Sequence, residues 1–145
     1  MIALASDHAG FEYKERLKGV LTSLGLSYRD FGTASQEASD YPIFAHAAAA
    51  AVSTGECESG ILLCGTGIGM SIVANKHPGV RAAACQCVEA ARFSRLHNDA
   101  NILAIGGRLT DWATAEAIVR EFLTTPFEGG RHERRVELIH TLTNL

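Results

Sequence analysis

Short runs, apolar in the main and more polar at Leu26–Phe31, recur along this chain, separated by polar or glycine-bearing turns and stretches with helical spacing. That alternation limits the possible folds more than any other feature. Met1–Ser6, Leu26–Phe31, Gly60–Cys64, Val80–Cys85 and Asn101–Ile105 read as strands. After Gly10, residues Tyr13, Leu17, Val20, Leu21 and Leu24 fall on a three-and-four spacing that Gly25 ends, which predicts an amphipathic helix. Asp40 before Tyr41-Pro42 marks another helix start, continued by the alanine-rich stretch to Val52. A helical run to Asn75 and the segments Val88–Leu96, Asp111–Leu123 and His132–Leu142 complete the series. Strands alternating with helices imply right-handed crossovers. The expected class is therefore α/β, a three-layer sandwich with a five-stranded parallel sheet and helices on both faces.

A chain of 145 residues is the usual size of one domain, so residues 1–145 are expected to share a single fold unit. Hydrophobic residues make up 47% and charged residues 20%, enough apolar material to offset chain entropy. Thirteen Lys and Arg against sixteen Asp and Glu leave a net charge of -3, which argues against a nucleic-acid partner. No stretch reaches the roughly 20 apolar residues of a membrane span, and no secretory leader is evident. The expectation is a cytoplasmic protein with no membrane partner. Cys57, Cys64, Cys85 and Cys87 are then expected as free thiols, and neither their spacing nor that of the histidines suggests a metal site.

In parallel sheets, ligands gather beyond the C-terminal strand ends, and that edge is where the chemically versatile residues of this sequence fall. Asp7 and His8 follow the first strand, and Cys64 ends the third. Gly65, Gly67 and Gly69 come next, before a helix, so backbone N–H groups can turn toward one point and attract an anion. The spacing matches neither the dinucleotide fingerprint nor a P-loop. Cys64, at the mouth of this cradle, sits where a thiolate is favoured and can serve as a base. No Cys-x-x-Cys accompanies it, which speaks against thiol redox chemistry. His97-Asn98 follows a helix, and Arg131 and Arg135 lie four apart on one helix face, suited to clamping a phosphate or carboxylate. Arg108, after Gly106-Gly107, is placed to join that clamp.

Four segments taken in order carry a family resemblance: Ser6-Asp7-His8-Ala9-Gly10-Phe11, Cys64-Gly65-Thr66-Gly67-Ile68-Gly69-Met70, His97-Asn98-Asp99-Ala100-Asn101, and Gly129-Gly130-Arg131-His132-x-x-Arg135-Val136. The whole chain resembles the ribose-5-phosphate isomerase B family, which also takes in isomerases of allose and galactose 6-phosphates. The resemblance implies a Rossmann-like fold and a metal-free aldose-ketose isomerase with no cofactor. It further implies a homodimer, or a dimer of dimers, with active sites composed from both subunits and the C-terminal helix at the interface. Carried over residue by residue, Cys64 is the proton-transferring base, Thr66 assists it, and His97 opens the sugar ring. Gly65, Gly67, Ile68 and Gly69 hold the enediolate oxygens; Asp7, Tyr41 and Asn98 contact the sugar; His8, Arg108, Arg131 and Arg135 bind the phosphate. Family members that use a carboxylate base carry it on this loop, where Met70 and its neighbours offer none. Pentose phosphate, hexose phosphate and a non-catalytic sugar-phosphate sensor remain the alternatives, and retention of Cys64, Thr66 and His97 together argues against the sensor.

Overall fold

The computed structural model describes residues 1–145, and its sheet contains β1 (Ile2–Ser6), β2 (Tyr28–Asp30), β3 (Ser59–Cys64), β4 (Ala82–Ala84) and β5 (Ile102–Gly106). The order is β2-β1-β3-β5-β4, and every neighbouring pair is parallel. Helices α1 (Phe11–Ser23), α2 (Tyr41–Ser53), α3 (Ile68–Ala74), α4 (Val88–Leu96), α5 (Trp112–Thr124) and α6 (Arg131–Thr143) account for the helical segments of the sequence. A single 3-10 turn, His8–Gly10, links β1 to α1. The α/β class and the five-stranded parallel sheet are thus as the sequence predicts. No helix is long and apolar enough to cross a membrane.

The central strands β1, β3 and β5 are apolar on both faces because helices cover both faces. Ile2, Leu4, Ile61, Leu63, Leu103 and Ile105 point to one side, where Leu17, Leu21, Ile118 and Phe122 from α1 and α5 meet them. Ala3, Ala5, Leu62, Cys64, Ile102 and Ala104 point to the other, against Ala45, Ala48, Ala49 and Val52 of α2 and Met70 and Ala74 of α3. Small side chains on both partners let α2 approach the sheet closely, which explains the alanine run.

Two strands are shorter than expected. The run Leu26–Phe31 pairs in the ladder only over Tyr28–Asp30, because Gly32 turns the chain tightly against the backbone of Ser6. Val80–Cys85 reduces to Ala82–Ala84, since the Arg81 N–H donates to the Asn101 side chain at 2.8 Å instead of continuing the ladder. Both are edge strands, where fewer partners reinforce the extended form.

One buried charge lies on the β2 side of the sheet. Lys14 Nζ, on a side chain 1% exposed, bonds Asp30 at 2.5 Å and Glu15 at 3.0 Å. Burial alone raises the Asp30 carboxyl, but Lys14, Lys18 and the Gly32 N–H together hold it below its usual range. A carboxylate depressed in this way adds stability above its unfolded pKa, and that stability is lost as pH falls through the lower folded value. Asp30→Asn is therefore expected to cost about 2–3 kcal/mol at pH 7, as it leaves Lys14 short of a countercharge. Urea unfolding of both proteins should give curves that converge once the pH falls below the carboxylate range. A difference that persists unchanged in acid would mean that Asp30 acts through shape and not through charge.

Candidate active site

The chain moves outward from β1 to β2 on one side and to β3 on the other, so the crevice beyond the ends of β1 and β3 is the switch point of the sheet. Ser6 pairs with Leu63 and Cys64 with Gly106, which places Asp7, Cys64 and Gly107 on one edge. Asp7 is buried, and its carboxylate accepts the N–H groups of Ala9 and Gly10 at 2.9 and 3.2 Å. It therefore caps the 3-10 turn in addition to facing the crevice.

Cys64 is buried, and its Sγ accepts the N–H of Gly67 at 3.1 Å. Gly67 has φ +77°, and a side chain there would meet the backbone of Ile105 at 2.9 Å, so both its conformation and its surroundings require glycine. The Ile68 N–H turns to Thr66 Oγ1 at 3.3 Å. Two N–H groups of the expected anion cradle are thus engaged locally, one of them by the sulfur. Gly69 lies under the Tyr41 ring, where an added Cβ would come within 2.7 Å of ring atoms. Arg108 donates its N–H to the Gly65 carbonyl at 3.0 Å and lays its side chain along Gly65. His8 and Ser39 bond reciprocally: the Ser39 N–H donates to His8 Nδ1 at 3.1 Å, and the His8 N–H donates to Ser39 Oγ at 3.1 Å. An Nδ1 that accepts leaves the proton on Nε2, so the ring presents a donor.

The remaining predicted residues form a second group. His97 ends α4 and stacks on His132 with ring centroids 4.3 Å apart. His97, Asn98, His132, Arg135, Val136 and Ile139 line a cavity of about 350 Å³. Arg131 opens α6 beside them. No hydrogen bond, ion pair or ring contact joins this group to the Cys64 group. Arg108, expected to join Arg131 and Arg135, instead lies with the Cys64 loop. Within one chain the four candidate phosphate ligands divide, His8 and Arg108 in one group and Arg131 and Arg135 in the other.

Glu128 was not among the residues the sequence singled out. Glu128 Oε2 lies 3.7 Å from His97 Nε2 and 3.9 Å from His132 Nε2. Their ligand atoms all fall within 4.8 Å of one another, a grouping that the cysteine and histidine spacings did not announce. The Glu128-x-x-x-His132 spacing was the available signal. The two imidazoles are nonetheless stacked at 15°, so their in-plane lone pairs run side by side and do not converge on one ion. Burial, aided by the charges of His97, Arg131 and Arg135, pushes the His132 imidazole down despite Glu128, and His132 Nε2 is buried without a partner. Burial also pushes the Cys57 and Cys85 thiols up. All four cysteines are free thiols.

Residues 2–139 match the family model described as Ribose/Galactose Isomerase. Ribose-5-phosphate isomerase B of Escherichia coli is 46% identical over 138 residues, which cover 95% of this chain and 93% of that protein. The structure of Clostridium thermocellum ribose-5-phosphate isomerase B superposes with a TM-score of 0.96 at 47% identity, covering 99% of this chain and 97% of the other. The Thermotoga maritima ribose 5-phosphate isomerase structure gives 0.91 at 51% identity, with 95% of each chain covered. A family model over nearly the whole length, relatives above two-fifths identity and superposable structures agree with the crevice geometry: the chain belongs to the ribose/galactose isomerase family.

Proposed function

We propose that the protein interconverts D-ribose 5-phosphate and D-ribulose 5-phosphate through an enediolate, without a metal or cofactor, as a step of the cytoplasmic pentose phosphate pathway. The observation that carries this reading is the buried Cys64 sulfur at the switch point, with a backbone donor aimed at it and Asp7, Tyr41 and Arg108 around it. The Cys64 thiolate takes the proton from C2 of the open-chain aldose as the C1 carbonyl electron pair moves to O1; the O2 hydroxyl proton then passes to O1, and the thiol returns its proton to C1 as the C2 carbonyl forms. Thr66 assists at the loop, and donors among Gly65, Gly67, Ile68 and Gly69 stabilise the enediolate oxygens. A preorganised donor of this kind is typically worth about 3–4 kcal/mol. His97 transfers the proton that opens the furanose ring, a task suited to an imidazole. Asp7, Tyr41 and Asn98 orient the sugar hydroxyls, while His8, Arg108, Arg131 and Arg135 hold the phosphate.

The division into two groups supports a homodimer with composite sites, in which Cys64 of one subunit faces His97 of the other. Helix α6 fits an interface: His132 is its only buried residue, while Leu138, Ile139 and Leu142 are exposed. Residues 1–145 then act as one isomerase domain whose C-terminal helix reaches the partner.

The reading is tested by kcat/KM for ribose, allose and galactose phosphates on one preparation, with and without a chelator. Ribose 5-phosphate should be turned over fastest, at a rate the chelator leaves unchanged. Faster turnover of a hexose phosphate would reassign the substrate, and activity lost to chelation and restored by a divalent ion would overturn the metal-free mechanism.

A further inference from the structure

Helix α6 carries both arginines of the candidate phosphate clamp, yet it touches the body of its own chain at few points. Near its start His132 stacks on His97. Eight residues on, His140 Nε2 meets Arg81 Nη1 at 3.0 Å. His140 Nδ1 lies 2.8 Å from a backbone oxygen of Leu145, which can only accept, so Nδ1 carries the proton and Nε2 offers its lone pair to the guanidinium.

Nη1 also donates to the Gly79 carbonyl at 3.4 Å, and the remaining N–H groups of Arg81 face the loop after α4. Nε donates to the carbonyls of Asn98 and Asp99 at 3.1 and 2.9 Å, and Nη2 donates to the Asp99 carbonyl and carboxylate at 2.7 and 3.1 Å. Asp99 has φ +44°, an uncommon conformation for a side-chain-bearing residue, and Arg95 secures its other carboxylate oxygen at 2.9 Å. The guanidinium is 16% exposed on its side chain and therefore keeps these bonds largely out of competition with water. One side chain thus ties the His97-Asn98 loop to the helix that bears Arg131 and Arg135.

We propose that Arg81 and His140 form a latch that fixes the distance between His97-Asn98 and the Arg131–Arg135 clamp, and so sets the sugar chain length the site accepts. The substrate claim rests on the isomerase reading above; the latch itself does not. A ribose phosphate spans loop and clamp with one carbon fewer than a hexose phosphate, so a clamp free to drift loses its preference for the shorter chain. A misplacement of about 1 Å can cost on the order of 10²-fold in rate. Both residues are positioning residues that act through the loop and the helix.

The test uses the full-length protein with His140→Ala, which removes the acceptor, and His140→Gln, whose amide oxygen can replace it. Amide hydrogen exchange reads the latch directly. In His140→Ala the amides of α6 should exchange faster while those of β1, β3 and β5 do not, and His140→Gln should restore protection. Kinetics read the consequence. His140→Ala should lower kcat/KM for ribose 5-phosphate about tenfold and raise the hexose-to-pentose ratio. Inorganic phosphate, which needs the clamp but not the spacing, should inhibit with a Ki within twofold of the parent protein. Unchanged exchange in α6 would overturn the latch. Faster exchange with an unchanged hexose-to-pentose ratio, or a Ki that rises in step with KM, would overturn its role in chain-length choice. If the parent protein did not isomerise ribose 5-phosphate while His140→Ala still loosened α6, the isomerase reading would fail and the latch would stand.

Discussion

Cys64→Ala is expected to lower kcat/KM for ribose 5-phosphate by at least about 10³-fold, on the order of 4 kcal/mol of transition-state stabilisation, because no second base lies on the loop. Cys57 and Cys85 face the core with their thiols pushed up by burial, and Cys87 is spent capping α4, where its sulfur accepts the Ala90 N–H at 3.4 Å. Binding should survive the change. The phosphate ligands act through charge-assisted bonds elsewhere, and removing a single sulfur atom opens only a small void at the end of β3. Competitive inhibition by a non-isomerisable sugar phosphate, measured alongside turnover, separates the two effects. Near-normal turnover would remove Cys64 from the chemistry; a lost inhibitor with an intact fold would move it from catalysis to binding.

The same residues explain how far the sequence could be read. β1, β3 and β5 were legible because, apart from Ser6 and Ser59 at strand ends, they are apolar throughout, a pattern that burial on both faces requires. Cys64 and its glycines were legible for a local reason: the turn they make is encoded within six consecutive residues. The ends of β2 and β4 were not, because what shortens them is the approach of Gly32 to Ser6 and the capture of the Arg81 N–H by Asn101, both tertiary events. The His8–Ser39 pair spans 31 residues and the Arg81–His140 contact spans 59, distances over which spacing carries no signal. Arg108 illustrates a subtler loss. Its charge marked it as an anion ligand candidate, but charge alone could not say that it lies along Gly65 and not beside Arg135.

If each site takes Cys64 from one subunit and His97 from the other, a mixed dimer of two inactive variants should regain activity. In a symmetric dimer, pairing a Cys64→Ala subunit with a His97→Asn subunit places both lesions in one site and leaves the second intact. Random mixing makes half of the dimers mixed, and each carries one sound site of two, so about one quarter of wild-type activity is expected. The assay direction matters, because His97 is needed to open the furanose: ribose 5-phosphate keeps the His97→Asn background low, whereas an open-chain ketose would raise it. Unfolding and co-refolding equal amounts of the two variants, with mass spectrometry to count mixed dimers, supplies the measurement against each parent refolded alone. The separation of the Cys64 and His97 groups within the chain, and the exposed apolar residues of α6, both favour the composite arrangement. Activity no higher than the parental mean, with mixed dimers present, would place Cys64 and His97 of one catalytic site on the same chain.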